Sequence, residues 1–555
     1  MATNDLSELK TKLNNIKGSR ENPIYKSNIY WSQKAFNVTD ILISFLSEKG
    51  DTVFDPFMGS GVTVIEAVSD AMARNSIGVD INDVPVFIVE TILKNKNVAE
   101  ISKSLKSFLL EANDKCSSFY STEFEGRTAS VSLTRFNIID GKYYPFYVQG
   151  KYYLGKKKTK KFTKTSFSES DIDKINKHYE LENIKDYVLL EDSKLAAKRG
   201  EHISHIFTGR NIKVLDILLG IAKEPEYAHI YETIRYILLS MIHLCKITDT
   251  HSNSQWPLWI PSKDCVEKNV LDILSRRIAL TEKAFKYAYK NYKKCTERES
   301  PDSFLGDCNY TLFKKPIQYI DEKDIPNESV DLIITDPPYL GQVAYSEYMQ
   351  LYEPFLGFEM NYKDEIVVSS APSRSEKNTK NYFLLMDKAF EICSNKLKNG
   401  KVMCLYFHDS KLEVWSKLIT LLARHGFRFI TLLHIDKTPT VKNNISKKKS
   451  LNGDAILFFE KDKFVSSEKK STESIDLITR NVIAEARHML SISKSGLTTP
   501  ELYDNGLMEY IIHNGWLDDL ANHYKSLVEI FEGVFLWDET TGKWILPNQN
   551  YSEKC

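Results

Sequence analysis

The stretch that decides the fold is residues 52–82, TVFDPFMGSGVTVIEAVSDAMARNSIGVDIN. TVFDPF predicts a short buried strand, which Gly59 and Gly61 bring to an end. VTVIEAVSDAMA, residues 62–73, predicts a helix, and NSIGVDIN, residues 75–82, predicts a second strand. A strand, a glycine turn, a helix and a strand within about 30 residues form a βαβ unit, so we expect an α/β fold with a parallel sheet.

The glycine turn has the features of a ligand site. Glycines between a strand end and a helix start let the backbone approach a ligand and leave N–H groups free at the helix N-terminus. Asp55 places a carboxylate at the carboxyl end of the first strand, where open α/β sheets bind ligands. Asp80 ends the second strand 25 residues later, and a carboxylate there can accept both ribose hydroxyls of a nucleoside cofactor. The turn is not G-x-G-x-x-G and no phosphate-binding lysine follows it, which argues against NAD and ATP.

A second motif, Asp336-Pro337-Pro338-Tyr339, follows the predicted strand VDLIIT. Two consecutive prolines cannot continue a strand ladder, and they stiffen the backbone into an extended turn. The Asp336 carboxylate and a proline carbonyl can accept hydrogen bonds from a planar amine, and Tyr339 offers a face for stacking. Such a turn can hold an exocyclic amino group with its nitrogen aimed at an electrophile.

Composition and charge exclude several classes of protein. Apolar residues make up 42% and charged residues 27%, which indicates a globular chain rather than a disordered one. The 74 basic and 74 acidic residues exclude a globally basic nucleic-acid binder but leave room for a local basic patch. The eight cysteines contain no C-x-x-C pair and predict reduced thiols. Because the first ten residues are charged and no apolar run approaches about 18–20 residues, we expect a cytoplasmic protein.

The sequence pattern divides the chain into four segments. After residue 329 the α/β pattern resumes, and RFITLLHIDK and AILFFEK predict an antiparallel pair that closes the sheet. SSEKKS, residues 466–471, predicts a linker. The segments are 1–100, the first part of the α/β domain; 101–300, a mostly helical insertion; 301–465, the second part of the α/β domain; and 466–555, a helical C-terminal extension.

DPFMGSGVT, GVDIN, GDCNY (306–310), VDLIITDPPY and VMCLYFHD together resemble the ordered motifs of S-adenosylmethionine-dependent amino-methyltransferases of DNA. Those enzymes make N6-methyladenine or N4-methylcytosine. The resemblance covers about 25–95 and 300–460, and it implies a Rossmann-like methyltransferase sheet, S-adenosylmethionine as cofactor and double-stranded DNA as partner. Upstream, NIYWSQKAFNVTDILISFL is similar to the family's segment that helps close the cofactor pocket.

The resemblance also implies a role for each motif residue. Asp80 would bind the ribose of the cofactor, and Asp307 would approach its adenine ring. The residues that would line the methionine side of the cofactor are Asp55, Phe57, Gly59, Ser60 and Gly61. The residues that would hold the target base are Asp336, Pro337, Pro338 and Tyr339.

The insertion at 101–300 is the candidate target-recognition domain. Its strongest basic patch is a predicted β-hairpin at 140–164, where lysines alternate with aromatic residues. Lysines suit phosphates and aromatic faces suit unstacked bases, so we expect DNA contacts there. The lysines concerned are Lys151, Lys156, Lys157, Lys158, Lys160 and Lys161. Some relatives with an insertion at this place carry a cysteine-based zinc ribbon, but the hairpin has no cysteine, so we predict no metal.

Several alternatives stay open at this point. No cysteine follows the proline pair, which argues against C5-cytosine chemistry, and Asp rather than Ser before the prolines favours adenine N6 over cytosine N4. A second alternative is an RNA methyltransferase acting on a guanine amino group, although such enzymes usually carry an N-terminal RNA-binding domain and only about 50 residues precede the motif. A third is a catalytically silent nucleic-acid-binding subunit, against which both intact motifs count. A cognate restriction endonuclease is a candidate partner.

Overall fold

The structure is a computed structural model of the chain. The residues that it describes are 3–14, 16–31, 33–94, 97–154, 158–190, 201–250, 258–261, 263–341, 343–407, 409–435, 454–462, 472–493 and 495–547.

The described residues form fifteen strands, numbered here in chain order. They are β1 (Thr52–Asp55), β2 (Asn75–Asp80), β3 (Ser121–Phe124), β4 (Arg127–Ile139), β5 (Lys142–Leu154), β6 (Lys158–Lys164), β7 (Cys265–Lys268), β8 (Thr296–Glu297), β9 (Asn309–Lys314), β10 (Val330–Thr335), β11 (Leu397–Phe407), β12 (Phe427–Ile435), β13 (Asp454–Lys461), β14 (Leu536–Asp538) and β15 (Lys543–Ile545).

Eight of these strands form one large sheet in the order β12-β13-β11-β10-β1-β2-β9-β8. The six strands from β11 to β8 in this order run parallel, and β13 is antiparallel to both β11 and β12. The predicted α/β class is therefore confirmed, and the antiparallel pair lies at one edge of the sheet. The strand order reverses at β1, which has β10 on one side and β2 on the other, and such a reversal leaves a crevice at the carboxyl ends of the strands.

Helices cover both faces of the large sheet. The α-helices are Thr3–Asn14, Pro23–Ser27, Phe36–Leu46, Val62–Ala67, Asp83–Leu93, Val98–Cys116, Glu169–Asn176, Gly209–Ala222, Tyr231–Leu239, Ile242–Cys245, Val270–Asn291, Tyr345–Met349, Glu353–Leu356, Thr379–Lys396, Leu412–Arg424, Ile475–Ile492, Thr499–Leu502, Met508–His513, Leu517–His523 and Leu527–Glu532. Among the described residues, none of these helices has the length and apolar character needed to cross a membrane.

The central strands are buried on both faces, as parallel strands covered by helices require. Val53 of β1 packs in a core with the helix Phe36–Leu46. Its neighbour Phe54 points to the opposite core, which contains the helices Thr379–Lys396 and Leu412–Arg424. Both side chains are fully buried, so the sheet is fixed from both sides and its carboxyl edge is held in a defined shape.

The helix after the glycine turn is shorter than its sequence pattern predicted. It ends at Ala67 rather than near Ala73, because the next residues bind the insertion instead of continuing the helix. The backbone N–H of Asp70 donates to the carbonyl of Asn291 at 2.8 Å, and the Asp70 carboxylate accepts from the backbone N–H of Lys294 at 3.0 Å. Tertiary hydrogen bonds thus replace the last predicted turns of the helix.

The insertion contains a second sheet besides its helices. β3, β4, β5 and β6 are antiparallel neighbours, and β7 pairs with β4. Gly150 lies inside β5. The close approach of β4 favours glycine there, because a Cβ would lie only 2.4 Å from the carbonyl oxygen of Ser130. The turn before β5 is Asp140-Gly141, both with positive φ, and the connection between β5 and β6 lies outside the described residues. The sequence had indicated only the β5–β6 ribbon of this sheet.

The C-terminal extension is mainly helical and packs on the α/β domain. Tyr503, Leu507 and Phe531 are fully buried in the same core as Trp415 of the helix Leu412–Arg424. β14 and β15 add a small hairpin that the sequence did not indicate. The predicted linker at 466–471 lies outside the described residues.

Candidate active site

A cavity opens at the carboxyl ends of β1, β2, β9 and β10. Asp80, the last residue of β2, and Asp336, the first residue after β10, both line it. Because β1 lies between β2 and β10, the cavity occupies the point where the strand order reverses, which is the usual ligand site of an open α/β sheet. The structure therefore brings the two sequence motifs to one cavity.

The glycine turn is shaped by close packing as well as by its backbone. Gly59 and Gly61 have φ of +51° and +75°, a region that side chains other than glycine rarely adopt. A Cβ on Gly59 would lie 2.9 Å from the ring of Tyr30, and one on Gly61 would lie 2.1 Å from Cγ2 of Val89. Gly59 and Ser60 line the cavity, whereas Gly61 acts behind it as the residue that starts the helix.

Asp80 is held by backbone groups of the glycine turn and of the residues after β2. Its two carboxylate oxygens accept hydrogen bonds from the N–H of Gly59 and the N–H of Asn82, each at 3.1 Å. Burial raises the pKa of Asp80 to about 7, against the opposite effect of these two hydrogen bonds. The remaining acceptor capacity of the carboxylate suits the hydroxyl groups of a ligand.

Asp55 has a different position from the one that the resemblance implied. Its side chain is fully buried and does not line the cavity. Lys34 Nζ lies 2.9 Å from its Oδ2, and the Thr335 hydroxyl donates to its Oδ1 at 2.9 Å. Phe57 and Lys34 face the cavity instead, so the contribution of Asp55 to the site is to fix Lys34 and the end of β10.

The second motif forms a turn that nearby tyrosines stabilise. The Tyr339 hydroxyl donates to the Asp336 carboxylate, and the Tyr382 hydroxyl donates to the carbonyl of Pro338 at 2.7 Å. Pro337 is buried, and Pro338 lines the cavity together with Asp336. The Tyr339 ring lies edge-on to Phe407, with centroids 6.3 Å apart. The turn therefore presents a carboxylate to the cavity from a fixed backbone.

Asp307 does not line the cavity, so the contact with the cofactor's adenine that the resemblance implied for it stays a prediction that this geometry does not support. It precedes β9, whereas the cavity lies at the opposite, carboxyl end of that strand. β9 runs parallel to β2 with Lys314 opposite Asp80, so the residues that follow Lys314 face the cavity. Pro316, Ile317 and Gln318 line it there. NYTLFK, residues 309–314, forms a strand that begins within GDCNY, so the residues at the carboxyl end of the strand come after the motif.

Two tyrosines that the sequence did not single out line the same cavity. Tyr30 and Tyr345 stack with centroids 5.7 Å apart and an angle of 18° between their rings. Tyr30 belongs to the segment before the glycine motif, and Tyr345 begins the helix that follows the second motif. Their contact joins the two halves of the α/β domain across the cavity.

A buried arginine fixes the wall formed by residues 364–366. Arg374 lies 2.6 Å from a carboxylate oxygen of Glu347 and 2.7 Å from one of Glu365, and all three side chains are at most 7% exposed. The other oxygen of Glu365 accepts from the N–H of Ser346 at 2.9 Å. Buried charges persist when they are paired in this way, so the wall is rigid although it is built from a segment with little regular structure.

The described lysines that were predicted to contact DNA lie on the β5–β6 ribbon and do not line the cavity. Lys151 is paired with Asp272 at 2.8 Å, whereas Lys160 and Lys161 are exposed and have no ion pair among the described residues. Lys158 begins β6, and Lys156 and Lys157 lie outside the described residues. Two aromatic residues of the patch are core residues, since Tyr152 and Phe162 pack with Phe124. Tyr153, in contrast, is 65% exposed.

Parts of the chain are similar to known proteins. The chain is 26% identical over 347 residues to the Type II methyltransferase M.MjaII of Methanocaldococcus jannaschii, a match that covers 59% of each protein. The chain thus spans about three-fifths of the length of that relative. Two solved structures also align: a candidate DNA modification methylase of Thermus thermophilus and a candidate class I S-adenosylmethionine-dependent methyltransferase of Listeria monocytogenes.

Both structural alignments have low TM-scores and cover less than half of this chain. The Thermus protein is 14% identical, with 32% of this chain and 62% of that chain covered and a TM-score of 0.15. The Listeria protein is 13% identical, with 39% of this chain and 52% of that chain covered and a TM-score of 0.17. The family comparison is more direct, because residues 6–90 and 330–505 match the model of the N6/N4 methyltransferases, described as DNA methylase. Both motifs of the cavity therefore lie within the two segments that resemble the DNA methylase family.

Proposed function

We propose that the chain is an S-adenosylmethionine-dependent DNA methyltransferase that modifies an exocyclic amino group, with N6 of adenine as its target. The observation that carries the proposal is that Asp80 and Asp336 line one cavity from the ends of β2 and β10. One carboxylate can bind the hydroxyls of a nucleoside, and the other can accept from an amine. Amino-methyl transfer needs both groups within one site.

The cavity fits the cofactor on the side of β1 and β2. Gly59 and Ser60 give this side a narrow backbone wall with little side-chain bulk, and Phe57 adds an apolar surface suited to the methionine part. Asp80 would accept the ribose hydroxyls, for which its two backbone hydrogen bonds already orient it. The cofactor supplies an electrophilic methyl group when it is bound.

On the other side, Asp336 would hold the target. A base within a duplex cannot enter the cavity, so it would be flipped out at a cost of about a few kcal/mol. The amino group of the base would donate to the Asp336 carboxylate and to the Pro337 carbonyl. The Tyr339 ring would stack on the face of the base. The nitrogen lone pair would then point at the methyl group, and positioning would supply most of the rate.

The choice of adenine N6 rests on the residue before the prolines. A carboxylate at this position can only accept from an amino group, whereas a serine hydroxyl can also donate. Cytosine N4 carries an amino group of the same kind, and the nature of the product distinguishes the two bases.

The DNA backbone would be contacted by the β5–β6 ribbon. Lys160 and Lys161 are exposed and have no carboxylate partner within the part of the chain that the structure describes, so they are suited to bind phosphates. Lys151, Lys156, Lys157 and Lys158 belong to the same part of the insertion and would contribute to the same contact. The Type II name of the M.MjaII relative makes a restriction endonuclease of matching specificity a natural partner to look for.

The test is to incubate the protein with S-adenosylmethionine labelled in its methyl group and with mixed-sequence duplex DNA or RNA. Hydrolysis to nucleosides and mass spectrometry then identify the product. We expect labelled N6-methyladenine from the DNA alone. N4-methylcytosine would correct the base, label in RNA guanine would correct the substrate, and no transfer to either polymer would contradict the proposal.

A further inference from the structure

We infer that the helix Val270–Asn291 carries a further contact surface for the DNA backbone, continuous with the basic patch of the β5–β6 ribbon. The inference rests on the proposed function, because it takes double-stranded DNA as the partner. It adds a surface that lies outside both sequence motifs and outside the predicted hairpin. Contacts to phosphates carry no sequence information, so this surface would hold the duplex without choosing its sequence.

One exposed face of this helix is basic along most of its length. Residues at positions i, i+7, i+10 and i+14 lie on one side of an α-helix, because seven residues make nearly two full turns. Four exposed cations have this spacing and are called here the basic track: Arg276, Lys283, Lys286 and Lys290. The track spans 14 residues, which is about 21 Å of helix and matches about six base pairs of duplex DNA.

The basic track has no carboxylate partner of its own. None of its four cations forms an ion pair within the part of the chain that the structure describes. Lys286 and Lys290 are four residues apart, a spacing at which like charges destabilise a helix. The helix dipole favours a cation only in the last turn, at Lys290, so the other three have no compensating charge on the helix. A polyanion along this face would supply the compensation.

The basic track joins the ribbon through an ion pair. Lys151 on β5 lies 2.8 Å from the carboxylate of Asp272, one turn before Arg276 on the helix. Lys151 is also directly opposite the exposed Lys161 of β6. Because Lys151 neutralises Asp272, this acid does not interrupt the positive charge between ribbon and helix. The ribbon and the track therefore form one continuous basic surface.

The helix is held at both ends, so the basic track has a defined position. At its start, Asn269 Nδ2 donates to the carbonyl of Val131 on β4 at 2.7 Å. At its end, the carbonyl of Asn291 accepts from the N–H of Asp70 in the α/β domain at 2.8 Å. The face opposite the track is buried in the core. DNA bound along the track would therefore keep a fixed position relative to the cavity.

The experiment measures how the affinity of the full chain for a mixed-sequence duplex, several times longer than the track, depends on salt concentration. Lys283→Ala with Lys286→Ala should lower the slope of log affinity against log salt by about 1.8, since each lost phosphate contact lowers it by about 0.9. Lys283→Arg with Lys286→Arg keeps both charges and should keep the wild-type slope. Affinity for S-adenosylmethionine should equal that of the wild type in every variant.

Lys103→Ala with Lys106→Ala is the matched control. It removes the same two charges at the same spacing from the exposed face of another helix, Val98–Cys116, and should keep the wild-type slope. Both alanine pairs should fold as the wild type does, because the replaced side chains are exposed and alanine favours helices.

Two kinds of result would contradict the inference, and they are distinguishable. A wild-type slope for Lys283→Ala with Lys286→Ala, or an equal decrease in the control pair or the arginine pair, would overturn the basic track and leave the proposed function standing. A wild type that binds S-adenosylmethionine but no duplex at low salt would contradict DNA as the substrate, and the basic track with it.

Discussion

The two carboxylates of the cavity are held in different ways. Asp80 accepts from the backbone N–H groups of Gly59 and Asn82, which cannot move away without changing the turn. Asp336 accepts from the side-chain hydroxyl of Tyr339, which can rotate. In the proposed assignment, the cofactor would meet a carboxylate that backbone groups hold, whereas the target amine would replace the Tyr339 hydroxyl at Asp336. This difference predicts which changes affect transfer and which affect cofactor binding.

The largest effect should come from Asp336→Ala. Removing the acceptor of the target amine should lower the rate of methyl transfer by at least about 10²–10³-fold, the scale for one preorganised polar group at a reacting centre. Calorimetry should show S-adenosylmethionine binding within a few fold of the wild type, because Asp336 faces the target. Tyr339→Phe is the matched control, since it keeps the ring and removes only the hydroxyl that closes the site. Loss of cofactor binding in Asp336→Ala would show that the two ends are not separate.

Asp80→Ala should have the next largest effect. It removes a charged acceptor of the ribose and should weaken cofactor binding by about 1.5–3 kcal/mol. Asp83 is a nearby control: it is paired with Lys314 at 2.7 Å and does not line the cavity, so Asp83→Ala should bind the cofactor normally. An unchanged affinity of Asp80→Ala would mean that this acid serves only to hold the glycine turn.

The pH dependence of the affinity for S-adenosylmethionine is a further test of the role of Asp80. Burial raises the pKa of Asp80 to about 7 in the free protein, so the carboxyl is protonated below that pH and must lose its proton to accept two hydroxyls. Affinity for S-adenosylmethionine should be constant above the pKa and fall by up to about tenfold per unit below it. Asp80→Asn should bind more weakly with a flat profile between about pH 5.5 and pH 8. A wild-type profile that is equally flat would contradict the role of the ionised form.

Substitutions in the β5–β6 ribbon should weaken DNA binding and leave cofactor binding unchanged, and this should be the smallest of the four effects. Each lost phosphate contact lowers the slope of log affinity against log salt by about 0.9, so Lys160→Ala with Lys161→Ala should lower it by up to about 1.8 for any duplex sequence. Cofactor affinity should not change. Lys103→Ala with Lys106→Ala removes the same charge from the exposed face of the helix Val98–Cys116 and serves as the control. Equal slopes for the two double variants would assign the effect to net charge.

The sequence predicted the parts of the site that strand ends determine, and it missed the parts that tertiary packing determines. Asp80 and Asp336 could be placed because the first ends and the second follows a strand with a clear apolar pattern. Gln318 and Tyr345 could not, because their position depends on which strands become neighbours and on how the segment after the second motif folds back. The position of Asp307 depends on the same packing, since the acid precedes β9 and lies at the amino end of that strand.

In the insertion, too, the sequence predicted local elements and missed long-range contacts. Its helices and the β5–β6 ribbon have local patterns that the sequence reveals. β7 comes from a distant part of the chain, and its pairing with β4 depends on contacts such as Thr134 opposite Glu267. Arg210, paired with Glu267 in the buried space below this sheet, is likewise a long-range contact without a local signal.

The most direct test of the two separate ends is the rate of DNA methylation as a function of S-adenosylmethionine concentration for the wild type, Asp80→Ala and Asp336→Ala. At saturating DNA, the Asp80→Ala rate should rise to near the wild-type maximum at a cofactor concentration about 10–100 times higher, since the loss is in cofactor binding. The Asp336→Ala rate should stay low at every cofactor concentration. Recovery of Asp336→Ala at high cofactor, or a low maximum for Asp80→Ala with normal cofactor binding, would contradict the assignment of the two carboxylates to opposite ends of one site.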